Sequence, residues 1–168
     1  MANNSFFNHL KNIILLPGTV TVLIPYLLYV YLNPFEITDE HMLLLIAGIL
    51  FVCCGVLLLF RSIFLFSSKG KGTLAPWNPT RKLVISGLYS HVRNPMILGV
   101  LCILIGEALY FNSISILVWA MVFFIINSIY FEFIEEPKLE RKFGDAYLDY
   151  KENVSRWIPS LKPYQNKN

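Results

Sequence analysis

Asn94 to Phe131 reads NPMILGVLCILIGEALYFNSISILVWAMVFFIINSIYF, and Glu107 is its one charged residue. A helix needs about 20 mostly apolar residues to cross roughly 30 Å of hydrocarbon. This stretch has room for two such helices, one near Pro95–Tyr110 and one near Ser113–Phe133. So few residues join them that they must form a tight antiparallel hairpin. The first of the pair is short for a full span.

Working outward, the same pattern recurs toward the N-terminus. Met42 to Phe60 carries no charge, and neither does Asn12 to Phe35. These runs predict helices over about Met42–Phe64 and Ile13–Leu32, the latter kinked near Pro25, whose ring removes a backbone donor. The chain of 168 residues suits one domain, 1–168. It is 55% hydrophobic, against about 45–50% for a soluble chain, and 15% charged, against about 25%. Mean hydropathy is +0.55. The expected architecture is all-α: an integral membrane helical bundle of about four transmembrane helices, plus a C-terminal amphipathic helix.

Lys and Arg give an orientation. The segment 33–41 and the turn near Asn112 have none. The segment 67–93 has Lys69, Lys71, Arg81, Lys82 and Arg93, and seven more follow residue 134. By the positive-inside rule both ends and the middle loop face the cytoplasm, across the inner membrane if the source is bacterial. No signal-peptide cleavage site follows the first apolar run, which ends in Asn33-Pro34.

The tail opens with Pro137, suited to a first helical position. Leu139, Phe143, Tyr147, Tyr150 and Val154 then recur at helical spacing. That stripe would lie on the membrane surface or cap the bundle, with Trp157 as an interface anchor.

Several function classes are excluded. Gly70-Lys71-Gly72-Thr73-Leu74-Ala75 matches a dinucleotide glycine pattern, but it follows a membrane helix rather than a strand. It also lacks the Ser or Thr of a phosphate loop. His9, His41 and His91 are too scattered for a metal site. Cys53, Cys54 and Cys102 lie inside apolar runs, at neither a metal spacing nor a disulfide spacing. The aromatics are not interleaved with basic residues, so nucleic acid is not a partner.

Chemistry concentrates on the cytoplasmic side in three features. Leu83 to Met96 leads into the third helix, whose start offers free N–H groups to an anion. Glu132, Glu135 and Glu136 crowd the end of the fourth helix, where acidic residues oppose the macrodipole and are costly at membrane depth. The run Phe143-Gly144-Asp145-Ala146-Tyr147 with Tyr150 and Arg156 is the third. On the third helix Gly99 and Gly106 share nearly one face, allowing close approach of a helix or a ligand. Glu107 lies toward the other membrane face.

In this order, Gly87-Leu88-Tyr89, Arg93-Asn94-Pro95-Met96 with Gly99, Glu135-Glu136, Leu139, Phe143-Gly144, Tyr147, Tyr150, Val154 and Pro159 resemble the isoprenylcysteine carboxyl methyltransferase and phospholipid methyltransferase superfamily. The resemblance covers about residues 72–159, the expected catalytic half. It implies S-adenosylmethionine in a cytoplasmic pocket and a lipidic acceptor that enters from the bilayer. Carried over, Val84, Tyr89, Arg93, Asn94, Pro95, Gly99, Glu135 and Glu136 would bind the cofactor. Arg156 and Glu136 would act catalytically, Arg156 near the acceptor. The family's usual histidine is Asn94 here, which hydrogen-bonds but does not titrate near neutrality. Two other readings stand beside this one. An NADPH-dependent membrane reductase of the sterol-reductase type predicts binding of NADPH, and a non-catalytic membrane scaffold predicts binding of neither cofactor.

Overall fold

The structure is a computed structural model that describes residues 17–32, 42–69 and 83–165. The acidic segment 33–41, the glycine pattern at 70–75 and the basic residues Lys71, Arg81 and Lys82 lie outside the described residues, as does the start of the first helix. Every regular element among the described residues is helical. A π-turn at Thr19–Leu23 leads into α1 (Ile24–Leu32). Next come α2 (Met42–Lys69), a 3₁₀ turn at Gly87–Ser90, α3 (Pro95–Tyr110) and α4 (Ile114–Tyr130). A second π-turn, Phe131–Glu135, carries α4 into α5 (Glu136–Phe143), and α6 (Asp145–Asn153) follows. Met42–Leu65 and Ile114–Phe143 are each long and apolar enough to cross a membrane, whereas Thr19–Leu32 and Pro95–Tyr110 are apolar but shorter.

The chain divides into two compact units, one of Met1–Leu57 with Gly99–Phe124 and one of Leu58–Leu98 with Ile125–Asn168. In the first unit, α2 and α3 meet along small residues. A Cβ on Gly55 would stand 2.6 Å from Gly99 O, and one on Gly48 would stand 2.8 Å from Gly106 O. Gly48 and Gly55 are seven apart, as are Gly99 and Gly106, so each pair lies on nearly one helix face. On α2 that face continues to buried Ser62, whose hydroxyl donates to Leu58 O at 2.6 Å. Leu43, Leu50, Leu57 and Phe64 keep the same spacing on another face, and all four are exposed. Exposed leucine over this length suits a hydrocarbon surround.

The hairpin turn between α3 and α4 places Asn112 at φ 48° and closes with Ser113 N donating to Ala108 O at 2.9 Å. Two donors from α4 reach the first helical segment: Trp119 Nε1 to Val20 O at 3.2 Å, and Ser115 Oγ to Leu32 O at 3.1 Å. The expected kink at Pro25 takes the form of a wider turn just before it. Proline has no N–H and crowds the carbonyl four residues back, and a π-turn accommodates both.

The second unit is built on the tail stripe. Tyr147, Tyr150 and Val154 are buried together, with Leu83, Ile85, Leu139, Phe143 and Tyr164 packed against them. The stripe does not run along one helix, as the spacing predicts. Gly144, at φ 55° and ψ −134°, breaks it into α5 and α6. Only glycine visits that backbone region freely. Pro137 stands in the first turn of α5, as expected, and α5 follows α4 directly through the π-turn. The segment after α6 folds back over the 88–93 loop: Arg93 N donates to Ser155 O at 3.0 Å, Ser160 N to His91 O at 2.8 Å and Tyr164 N to Ser90 O at 2.9 Å.

Candidate active site

Glu136 is the centre of the site. Its side chain is 3% exposed, and Oε1 accepts hydrogen bonds from Arg156 Nε at 2.6 Å and Arg93 Nη1 at 2.9 Å. Lys151 Nζ approaches Oε2 at 3.2 Å and Glu140 Oε1 at 2.7 Å. Arg156 Nη1 also reaches Glu132 Oε2 at 3.2 Å. Three cations and three carboxylates therefore interlock, with one buried carboxylate shared by all three cations.

Local folding explains how these groups meet. A π-turn holds one residue more than an α-turn, so Phe131–Glu135 rotates everything after it relative to α4. Glu136 comes to face inward and Glu135 does not. Glu135 Oε2 instead accepts from Tyr130 Oη at 3.1 Å. On the other side of the turn, the Phe131 and Trp157 rings meet edge to face at 6.1 Å. Arg93 is held at its backbone by Ser155 O. Tyr150 Oη donates to Tyr89 O at 2.6 Å, tying α6 to the loop that presents Arg93. Burial pushes the Tyr89 and Tyr150 hydroxyls well above their ordinary range, so both stay protonated. The hydrogen bond to Glu136 raises Arg156 further, fixing its charge, and the bond to Glu140 raises Lys151.

Of the residues singled out from sequence, the structure brings Arg93, Glu136 and Arg156 into contact. Val84, Tyr89 and Pro95 are buried in the same unit, and Asn94 is half-buried, its carbonyl accepting from Leu98 N at 3.1 Å as α3 begins. Glu135 is half-buried one residue from Glu136 but makes a different bond. Gly99 belongs to the other unit, where its carbonyl faces Gly55. Lys151 and Glu140 were not anticipated. Lys151 lies four residues after Tyr147 and three before Val154, so the tail stripe itself placed it on the inward face.

Two buried polar atoms in the cluster, Arg93 Nε and Glu136 Oε2, lack a hydrogen bond among the described residues; the Lys151 approach to Oε2 is an ion pair without hydrogen-bond direction. Buried polar groups are nearly always satisfied, so such atoms call for a partner. Among the described residues no group of His, Cys, Asp and Glu is arranged to hold a metal ion. The site offers fixed guanidinium and carboxylate groups, suited to binding and aligning charged molecules.

Two helices long and apolar enough to cross a membrane, with a buried, charge-dense cluster, suit a membrane protein with an enzyme-like site. The chain belongs to the phospholipid methyltransferase family: the family's model matches residues 43–146, which is more than half its length. That span contains Arg93, Asn94, Glu135 and Glu136 and ends before Arg156. The family is one of the group of membrane methyltransferases that includes the isoprenylcysteine carboxyl methyltransferases. No curated protein and no solved structure matches the chain.

Proposed function

We propose that this protein transfers a methyl group from S-adenosylmethionine to a lipidic acceptor at the Arg93–Glu136–Arg156 cluster. The observation that carries the reading is Arg93 Nε, a buried guanidinium donor with no hydrogen bond among the described residues, set beside the buried carboxylate of Glu136. S-adenosylmethionine carries a carboxylate, an ammonium and ribose hydroxyls, which match a guanidinium N–H without a hydrogen-bond partner among the described residues beside a buried carboxylate. When bound, it supplies an electrophilic methyl on a sulfonium, open to in-line displacement by the acceptor.

In this proposal Arg93 binds the carboxylate, and Glu136 or Glu135 takes the ammonium or a hydroxyl. Asn94 adds fixed hydrogen bonds beside the start of α3, where the first N–H groups are free. Val84, Tyr89 and Pro95 form the apolar wall that keeps water out. Arg156, aligned by Glu136 and Glu132, faces the polar end of the acceptor, and Glu136 acts by holding both guanidinium groups in place. Gly99 contributes by letting α2 and α3 approach. Alignment of two reactants supplies roughly 7–11 kcal/mol of a barrier, so a rigid ion-pair cluster is an effective catalyst for this reaction. Four spans and a cytoplasmic site complete the reading; Thr19–Leu32 and, apart from Glu107, Pro95–Tyr110 are apolar helices, though shorter than the other two. The whole chain then acts as one catalytic domain in two compact parts.

The test is a thermal-shift series on detergent-solubilised protein with S-adenosylmethionine, its demethylated product and NADPH. Stabilisation should follow the first two and reach about 2.7 kcal/mol at a hundredfold excess over Kd. Asn94→Ala should weaken that binding by about 1–3 kcal/mol. Methyl transfer from labelled cofactor to a membrane extract then identifies the acceptor. Stabilisation by NADPH alone, or by none of the three, would refute the proposal.

A further inference from the structure

Beyond α6, Ile158 is 75% exposed and Leu161 is 99% exposed, yet neither sits on a loose tail. Leu161 is the apex of a small turn, in which Ser160 Oγ donates to Lys162 O at 3.0 Å and accepts from Lys162 N at 3.3 Å. Ser160 is itself pinned to the 88–93 loop: its N–H donates to His91 O at 2.8 Å, and its carbonyl lies 2.7 Å from His91 Nδ1. Ile158 N donates to Ser155 Oγ at 3.3 Å. Pro159 and Pro163 fix φ on either side of Leu161. An ordered backbone thus holds two large apolar side chains outward. Exposed apolar residues scattered singly are ordinary, but Ile158 directly follows Trp157, whose ring meets Phe131 at the end of α4.

We infer that this turn is a membrane anchor: Ile158 and Leu161 insert into the lipid interface at the Glu136 end of the α4 span. Depth along the helix supports it. Ile114 opens an apolar helix that runs without a break to Phe143. At 1.5 Å per residue, Ile114 to Phe131 rises about 26 Å, close to the roughly 30 Å of hydrocarbon. Phe131 therefore lies near the hydrocarbon edge, and Trp157, in contact with it, lies there too. Phe133 and Ile134 are also exposed and extend the apolar surface along the same helix. Tryptophan gathers at headgroup level. Lys162, exposed beside Leu161, can keep its charge among headgroups while its stem lies on apolar surface. The helical stripe in the tail is the sequence's candidate for lying on the membrane, but its buried members pack with Leu83 and Ile85 instead. The turn takes over that role with different residues. Ser155 and Ser160 also hold the backbone of Arg93 and His91, so seating the turn in lipid steadies the loop that presents Arg93. A water-soluble protein partner would need the turn clear of the headgroups, and the contact with Phe131 keeps it among them.

The experiment uses the full chain with Cys53, Cys54 and Cys102 replaced by serine, reconstituted in vesicles of phosphatidylcholine and phosphatidylglycerol. Ile158→Cys, Leu161→Cys and, as a charged and exposed reference on α6, Glu152→Cys each carry one environment-sensitive fluorophore. Nitroxide-bearing lipid should quench the first two several-fold more than the third, and aqueous iodide should give the reverse order. A second measurement needs no label. Ile158→Ser/Leu161→Ser removes no buried contact and should fold as the native chain does by circular dichroism. In vesicles its Ser160 and Tyr164 amides, which hold the turn to the loop, should exchange with solvent several-fold faster than in the native chain. Equal lipid quenching at Leu161→Cys and Glu152→Cys, or unchanged amide exchange in the double variant, would overturn the inference. Labels that stay open to iodide until a soluble protein extract is added would assign the turn to a protein partner and overturn it as well. No cofactor or methyl transfer enters the assay, so its outcome is independent of the proposed activity.

Discussion

Replacing Glu136 with Gln keeps the shape of the side chain and removes its charge. Two guanidinium groups, at 10% and 19% side-chain exposure, then face a neutral amide. Removing one partner of a buried ion pair costs about 3–5 kcal/mol, because the other charge stays buried and uncompensated. The amide oxygen still accepts a hydrogen bond, which offsets part of that loss, so about 3 kcal/mol is expected. Glu132→Gln is the control. Glu132 pairs with the same Arg156 but is 59% exposed, and such a pair is worth about 0–1 kcal/mol. At about 2–4 °C per kcal/mol for a chain of this size, Glu136→Gln should lower Tm by roughly 6–12 °C and Glu132→Gln by less than about 4 °C. Circular dichroism of the solubilised protein reads both, with Arg93→Met/Glu136→Gln closing a double-mutant cycle. Equal losses for the two glutamates would refute the view that burial, rather than pairing as such, makes Glu136 the centre.

Further outcomes follow from the geometry. Tyr150→Phe leaves the Tyr89 carbonyl without its donor and should cost about 1–3 kcal/mol by chemical denaturation. Both tyrosines have folded pKa values raised above the ordinary 10.0, so the stability they contribute is complete below about pH 10 and lost as pH rises beyond it. Tm should therefore fall above pH 10, and less steeply in Tyr150→Phe; an unchanged slope would count against burial of these hydroxyls. Gly55→Ala drives a methyl against the Gly99 carbonyl and Ile103 N at 2.6 and 2.8 Å, which should cost about 1–3 kcal/mol through forced helix separation. Gly18→Ala meets nothing within 4 Å and should not lower Tm.

Charge-free runs marked the helices because the cost of burying a charge in hydrocarbon is large and local. Pro95–Tyr110 is bounded as the sequence predicts, by a proline at its start and a turn-forming Asn112 after its end. α2 runs on from Phe64 to Lys69, since backbone hydrogen bonding does not stop where the apolar run does. The tail stripe named the right core residues but not their division at Gly144, whose positive φ has no periodic signature. Arg93, Glu136 and Arg156 were each singled out, yet their meeting around one carboxylate was not legible. It depends on a π-turn, and no spacing rule announces one. Gly99 and Gly106 were legible as a small-residue face. Their partners, Gly48 and Gly55, carry the same spacing of seven, but a charge-free run does not by itself distinguish them from the rest of α2.

The wide turn at Phe131–Glu135 has a consequence for how relatives are compared. It is one residue longer than the helix needs, so deleting a residue within it restores a regular α-helix without turning Glu136 away from Arg93. Two relatives that differ there by a single residue would share the same ion-pair geometry while their glutamates fall out of register in an ungapped alignment. In such a comparison Glu135 of this chain would be matched to the other protein's inward carboxylate, and its side chain here bonds Tyr130 instead. Placing the gap inside the turn, rather than in a loop, is what keeps the comparison chemically true.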